Sequence, residues 1–371
     1  MRSVINPYTK GALMSTYYIG ADVHSNSTEL AIEKRGQIVA SYSVPTSIPA
    51  IVNVLDSIQG KKHFAVEEGP MSGWLYRNLA GKVDQFISCD PRRNKLIASD
   101  GDKDDKIDAA KLASLLRGGF LRAVYHSDDE SRAELKHWVS LYHDRVRDAV
   151  RGINKIRARC RMHGVKISRS ALRDPAKRMN WLLKTNHTVL ANQLKMLWIG
   201  YDATVQQVKF AKRQLSTLSK KHDIIHQWSL LPGIGLIRAT TVFAYLDTPY
   251  RFKKKNKLWK YCGVGLQRTT SGTDKKGKPK PSRLQLPWSV NRTLKNAVLG
   301  AALSAINQKD NVFRDYYQRM VKDGIITSNA RHAVARKMLT VLWAMWKTNS
   351  RFDEKIVHNE LNSQTASALS R

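Results

Sequence analysis

Hydrophobic and polar residues change rhythm twice along the chain. Between residues 17 and 45 three short runs, YYIGADVH (17–24), TELAIEKRG (28–36) and QIVASYSVP (37–45), are rich in β-branched and aromatic residues. Tight polar connections separate them, which predicts a β-meander. A helix is expected over 47–58, a strand in HFAVEEG (63–69), a helix around WLYRNLA (74–80) and a strand in VDQFIS (83–88). The last element of this part is a helix, DKIDAAKLASLL (105–116), with Asp104 placed to cap it.

From about residue 130 the spacing lengthens. Leu135, Val139, Tyr142, Val146, Ala149, Ile153, Ile156 and Cys160 alternate steps of four and three. So do Leu190, Leu194, Leu197, Tyr201, Thr204, Val208, Ala211, Leu215 and Leu218. Each series puts a narrow apolar seam on one helix face, as in a coiled coil. His163-Gly164 stops the first helix and Pro175 lies in the connection. A helical hairpin over 126–225 follows, either two bundle helices of one monomer or a dimerisation arm. A third region, 226–350, opens with LLPGIGLIRATTVFAYL (230–246) and ends in helices over 289–306 and 329–346. Residues 351–371 read as a disordered tail.

The first region, 16–125, has an order with a known counterpart. Three meandering strands followed by alternating helices and strands is the order of a ribonuclease-H-like domain. The expected fold class is therefore α/β plus all-α.

Composition narrows the partners. The 371 residues carry 63 Lys and Arg against 30 Asp and Glu, a formal charge of +33. Such an excess repels itself in a compact fold, and nucleic acid is the first polyanion to consider, since neutralised phosphates release counterions. No run of 18 apolar residues and no signal-peptide pattern is present, so no membrane role is expected. Three distant cysteines without a CxxC give neither a disulfide framework nor a zinc site, and fit a reducing, cytoplasmic location.

Against this background the acids stand out. Four Asp fall between Asp102 and Asp108. Asp105 and Asp108, three apart on the expected helix, share a face and repel each other unless a cation lies between them. Asp22 interrupts an apolar strand, and Glu67 and Glu68 end another. In a ribonuclease-H-like fold the first and fourth strands are adjacent and the last helix crosses their ends. Asp22, Glu67, Asp105 and Asp108 are thereby expected to converge on one or two magnesium ions; two ions about 4 Å apart can orient both oxygens of a phosphoryl displacement.

IGADVHSNS (19–27), AVEEGPMSGWLYRNL (65–79), CDPRRNK (89–95) and DKDDKIDAAKLA (102–113) resemble the N-terminal DEDD domain of the IS110 family of insertion-sequence transposases. LLPGIGLIRATTVFAYL, YCGVGLQRTTSG (261–272) and NRTLKNAVLGAA (291–302) resemble that family's C-terminal domain. The resemblance implies a RuvC-like site on Asp22, Glu67, Asp105 and Asp108, with Glu68 as the other reading of the second acid and Asp104 of the third. It also implies a serine nucleophile at Ser271 of Ser271-Gly272, forming a phosphoserine on DNA. A structured guide RNA encoded by the element, which pairs with donor and target DNA, and a tetramer of two dimers are implied as well. Two departures concern local contacts: GVGLQR lacks the family's usual Pro, and Lys295 stands where Arg is usual.

Candidate nucleic-acid contacts are Arg92, Arg93, Lys103, Lys106, Lys276 and Arg292, together with Lys253, Lys254 and Lys255 of RFKKKNKLWK (251–260), where Phe252 and Trp259 could stack on bases. The Gly233 and Gly235 amides of LPGIG could approach a phosphate, or serve a plain helix-connecting turn. A transposase, a Holliday-junction resolvase-like nuclease, a DNA invertase and a non-enzymatic DNA-binding protein are the readings this leaves.

Overall fold

A computed structural model describes residues 15–91, 104–185, 187–269 and 283–359. The chain divides into two compact units, 1–133 and 134–371.

The first unit is built on a six-stranded sheet. Its strands are β1 (Thr16–Val23), β2 (Ser27–Lys34), β3 (Gln37–Pro45), β4 (Lys61–Glu67), β5 (Gln85–Cys89) and β6 (Ala123–Val124), in the order β3-β2-β1-β4-β5-β6. β1, β2 and β3 form the expected antiparallel meander. β4 pairs parallel to β1, and β5 parallel to β4, so the first and fourth strands are neighbours. The two-residue β6, which carries too little pattern to be read in advance, closes the far edge antiparallel to β5.

Strand residues alternate between faces, and the two faces have different covers. Ile19, Ala21, Leu30, Ile32, Phe64 and Val66 pack under α1 (Ile48–Ser57) and α2 (Ser72–Leu79), which contribute Ile51, Leu55, Leu75 and Leu79. The opposite face takes one helix, α3 (Asp105–Arg117), through Ala65, Cys89, Leu112 and Leu116. Asp104 caps α3 as expected, its side chain accepting the Lys106 amide at 3.0 Å.

α3 lies directly on β1. A Cβ on Gly20 would collide with the Ala109 carbonyl oxygen and approach the Ala113 amide to 2.6 Å. Glycine on the strand and alanines on the helix are thus what this close crossing requires. Glu33 of β2, 1% exposed, faces the same helix and is held by the Ser114 hydroxyl and the Arg117 guanidinium.

In the second unit α4 (Glu130–Met162) and α7 (Thr188–Ser219) are the two long helices, with α5 (Arg169–Arg173) and α6 (Pro175–Thr185) between them. The expected seams face each other within one chain. Ile153, Ile156 and Cys160 of α4 pack with Leu190, Leu194, Trp198 and Tyr201 of α7, and Leu135 and Val139 share a core with Leu215 and Leu218. The seam is closed in cis; Trp198 buries where Leu197 was expected, and Leu197 packs at its edge. Pro175 lies in the connection, where it opens α6, and Arg178 ties α6 to α7 by a two-pronged pair with Asp202, one prong at 2.8 Å.

The rest of the unit is helical: α8 (Asp223–Ser229), α9 (Leu236–Leu246), α10 (Lys255–Tyr261), α11 (Arg292–Asn307), α12 (Val312–Lys322) and α13 (Thr327–Thr348), with a two-stranded ribbon of β7 (Gln267–Thr269) and β8 (Arg283–Gln285). Trp228, Phe243, Leu294, Phe313, Met338 and Leu342 lie in one continuous core. The expected disorder from residue 351 does not hold over 351–359. Val357 is buried, Phe352 stacks on Phe313 at 6.1 Å, and Glu354 accepts the Val312 amide at 2.6 Å. Residues 360–371 lie outside the described residues.

Gly20→Ala is expected to lose about 2 kcal/mol or more of stability, because backbone atoms of α3, not a flexible side chain, occupy the space. Urea unfolding checks this; a loss under about 0.5 kcal/mol, the range of ordinary surface changes, would contradict it.

Candidate active site

The last paired residues of the parallel β1–β4 ladder are Ala21 and Val66. The next residue on each strand is an acid, Asp22 and Glu67. Both share the parity of Gly20 and Ala65, so both lie on the face covered by α3. α3 starts at that end of the sheet and carries Asp105 and Asp108 in its first turn.

The side chains meet there. His24 Nε2 lies 3.2 Å from Asp22 Oδ2 and 3.3 Å from Asp105 Oδ2. Asp22, His24 and Asp105 offer ligand atoms within 4.8 Å of one another. Glu67 and Asp108 belong to the same electrostatic group. Burial pushes the Glu67 carboxyl up, and the Asp22 and Asp108 charges push it further. Burial likewise raises Asp22; His24 offsets this in part, and Asp105 and Asp108 add to it. Asp22 above all raises the His24 imidazole. The four acids named from the sequence are thus brought together, and their mutual repulsion is offset by one imidazole.

The structure also distinguishes the neighbouring acids. Asp104 is spent on the α3 cap. Glu68, of opposite parity to Glu67, accepts hydrogen bonds from the Ser88 hydroxyl at 2.6 Å and from His126 at 2.7 Å, away from the Asp22 group. His24 was not singled out from the sequence. Its signal was its place two residues after Asp22, at the end of the same strand face.

Oxygen donors from Asp22, Glu67, Asp105 and Asp108 suit a hard divalent cation, and a cation would relieve the repulsion that raises Asp22 and Glu67. The only such ligand cluster among the described residues contains two of these four acids.

The basic candidates are scattered by comparison. Lys106 is exposed one residue after Asp105. Lys253, Lys254 and Lys255 are all exposed and open α10. The aromatic residues beside them are turned inward: Phe252 is buried, and the Trp259 indole donates to the Thr340 hydroxyl at 3.1 Å. They are not available to stack on bases, because Phe252 is part of the core and Trp259 packs against it while the lysines stay in solvent. Gly233 is likewise committed. Its amide donates to the Gln308 side chain at 2.9 Å, and a Cβ there would strike the Ala301 carbonyl of α11. Its role is the close crossing of the turn and α11. Gly235 is exposed at the start of α9, and Arg292 is exposed at the start of α11. Arg92, Arg93, Lys103, Ser271 and Lys276 lie outside the described residues.

Cys89, Cys160 and Cys262 are buried and form no disulfide. Among the described residues no helix is long and apolar enough to cross a membrane.

Asp22, Glu67 and His24 all bind protons more tightly in the folded chain. For the acids, folding stability falls as pH rises from the unfolded values near 4 through the folded ones; for His24, stability is present below its unfolded value near 6.5 and is lost as pH rises through the folded one. Both effects run the same way. Magnesium is therefore expected to raise the melting temperature more at pH 8 than at pH 5, and Glu67→Gln to stabilise the EDTA-treated protein by on the order of 1 kcal/mol while shrinking the magnesium increment. Thermal denaturation checks both; a Glu67→Gln protein that melts lower in EDTA with an unchanged increment would contradict the repulsive cluster.

Comparison with known proteins gives an ordered match. A profile described as a DEDD transposase of the IS110 type matches residues 19–161, and one described as a transposase of the IS116/IS110/IS902 family matches residues 228–318. Over 154 residues the chain is 25% identical to an uncharacterized 43.6 kDa protein of insertion element IS110 from Streptomyces coelicolor, which is 42% of this chain and 36% of that relative's length. Over 294 residues it is 24% identical to y4qE of Sinorhizobium fredii, named as a candidate transposase, covering 72% of this chain and 69% of that one.

Proposed function

Because the chain belongs to the IS110 family of transposases, we propose that it moves an insertion sequence by cutting and rejoining DNA at the acidic end of the β1–β4 ladder. The observation that carries this is the convergence of Asp22, Glu67, Asp105 and Asp108 in a chain of charge +33. The β3-β2-β1-β4-β5 order, with α3 across β1, supports a ribonuclease-H-like, RuvC-like catalytic domain.

In this reading the four carboxylates hold magnesium, which when bound supplies charge neutralisation at the scissile phosphate. Asp22 and Glu67 fix the position of the site, being carried by paired strands. Asp105 and Asp108 complete it from α3. His24 bridges Asp22 and Asp105 and keeps them in place when no cation does so. Ser271 is the nucleophile: its hydroxyl oxygen attacks phosphorus, a phosphoserine bond forms, and the departing oxygen becomes a free 3′-hydroxyl. Because the bond energy is kept in the phosphoserine, rejoining needs no nucleotide. The basic surface is suited to phosphate contacts that are indifferent to sequence, which supports delegation of sequence choice to a guide RNA. Assembly through dimers to a tetramer completes the proposal.

Incubation of the protein with magnesium, labelled donor DNA and the element's flanking RNA, followed by a denaturing gel, tests this reading. A covalent protein–DNA band is expected for the wild type, absent in Ser271→Ala and in Asp105→Ala, with nucleic-acid binding retained in both. Cleavage without a covalent band, equal in wild type and Ser271→Ala, would identify a nuclease that uses water instead.

A further inference from the structure

The chain has nine tryptophans, and eight of them are buried or half-buried. Trp288 is the exception. It is 87% exposed, more than any other large apolar side chain among the described residues. No hydrogen bond or ring contact among the described residues engages its indole.

Its support is not a loose strand. Trp288 stands on the short connection between β8 and α11, directly after Pro287, whose ring fixes the backbone there. Two residues later Val290 lies against Gly263, close enough that a Cβ on the glycine would be 3.0 Å from it. Asn291 then caps α11 by accepting the Leu294 amide at 3.0 Å. The ring is thus presented on an anchored frame, so ordering it against a ligand costs little entropy.

The charge of its stretch of chain points to the ligand. No Asp or Glu occurs between Asp274 and Asp310, while Arg283 and Arg292 flank Trp288 in sequence, and Arg292 is exposed. An acid-free, basic stretch disfavours a second copy of this chain, which is itself strongly basic. It favours a polyanion with flat apolar surfaces. We propose that Trp288 is a stacking platform for an unstacked nucleobase of the DNA substrate. Within a duplex both faces of each base are already covered by its neighbours, so the ring engages single-stranded or opened DNA. The inference rests on the reading of this chain as one that acts on DNA, and adds to it a site for the strand once opened. It also supplies the aromatic partner that Phe252 and Trp259, being turned inward, cannot.

The test is equilibrium binding of the full chain, Trp288→Ala and Trp288→Phe to three labelled probes across a sodium chloride series: an oligo-dT of about 20 nucleotides, an oligo-U of equal length and a blunt duplex. Stacking on an aromatic side chain is sequence-tolerant and sensitive to alanine substitution. Trp288→Ala is therefore expected to weaken oligo-dT binding by about five- to a hundredfold, with duplex affinity unchanged and the slope of log affinity against log salt unchanged. Trp288→Phe should recover most of the loss. A parallel loss on oligo-U supports recognition of the base alone, and a loss confined to oligo-dT supports recognition of base and sugar together. No loss on oligo-dT, an equal loss on the duplex, or a shallower salt slope would overturn the inference while leaving the DNA reading standing. A wild-type chain that binds none of the probes would overturn both. Because Trp288 is exposed, all three proteins should share one melting temperature.

Discussion

The contact between Gly20 of β1 and the Ala109–Ala113 turn of α3 fixes the geometry of everything at the acidic end of the sheet. Helix and strand approach so closely that no side chain fits between them. The buried Glu33 holds the far half of the helix through Ser114 and Arg117, so α3 is pinned along its length. With the helix axis fixed, its first turn has one place to go, beside the ends of β1 and β4. Small residues at the crossing are therefore as much a part of the site as the acids they position.

The placement works against stability. Gathering four carboxylates at one end of a sheet costs free energy that burial makes larger. The cost is visible in the raised Asp22 and Glu67 carboxyls and in the imidazole drawn between Asp22 and Asp105. Elsewhere the chain places its acids differently. Asp104 caps a helix, Glu68 takes two donors, and Asp202 meets the buried Arg178. Among the described residues the Asp22 group is the ligand cluster in which acids face acids, which is the arrangement expected of residues that wait for a cation. The same logic of an uncompensated feature applies in the second unit, where one tryptophan among nine stays in solvent.

Much of this was legible in the sequence because it departed from local expectation. Asp22 and Glu67 stood where strands should be apolar, and Asp104 stood at a helix start with a capping side chain. The meander and the adjacency of β1 and β4 followed from the order of elements. What was not legible depended on parity and tertiary contact. Glu67 and Glu68 are identical neighbours at the end of β4, separated by the partners each side chain meets. His24 is an ordinary exposed histidine until α3 brings Asp105 to it. Phe252 and Trp259 looked like stacking residues because composition does not say which side chains of a basic stretch the core takes. The glycine at 233 looked free to meet a phosphate until Gln308, far along the chain, claimed its amide. The tail looked disordered because its few apolar residues find their partners only in the folded chain, Phe352 against Phe313 of α12 and Val357 beside Val341 and Met345 of α13.

The most direct test of the central claim is a crystal soaked in manganese and measured at the manganese absorption edge. The account predicts an anomalous peak among Asp22, Glu67, Asp105 and Asp108, with the His24 imidazole moved off at least one of the two carboxylates it now bridges. A saturating soak that leaves His24 between Asp22 and Asp105, with no peak there or a peak only elsewhere, would contradict it.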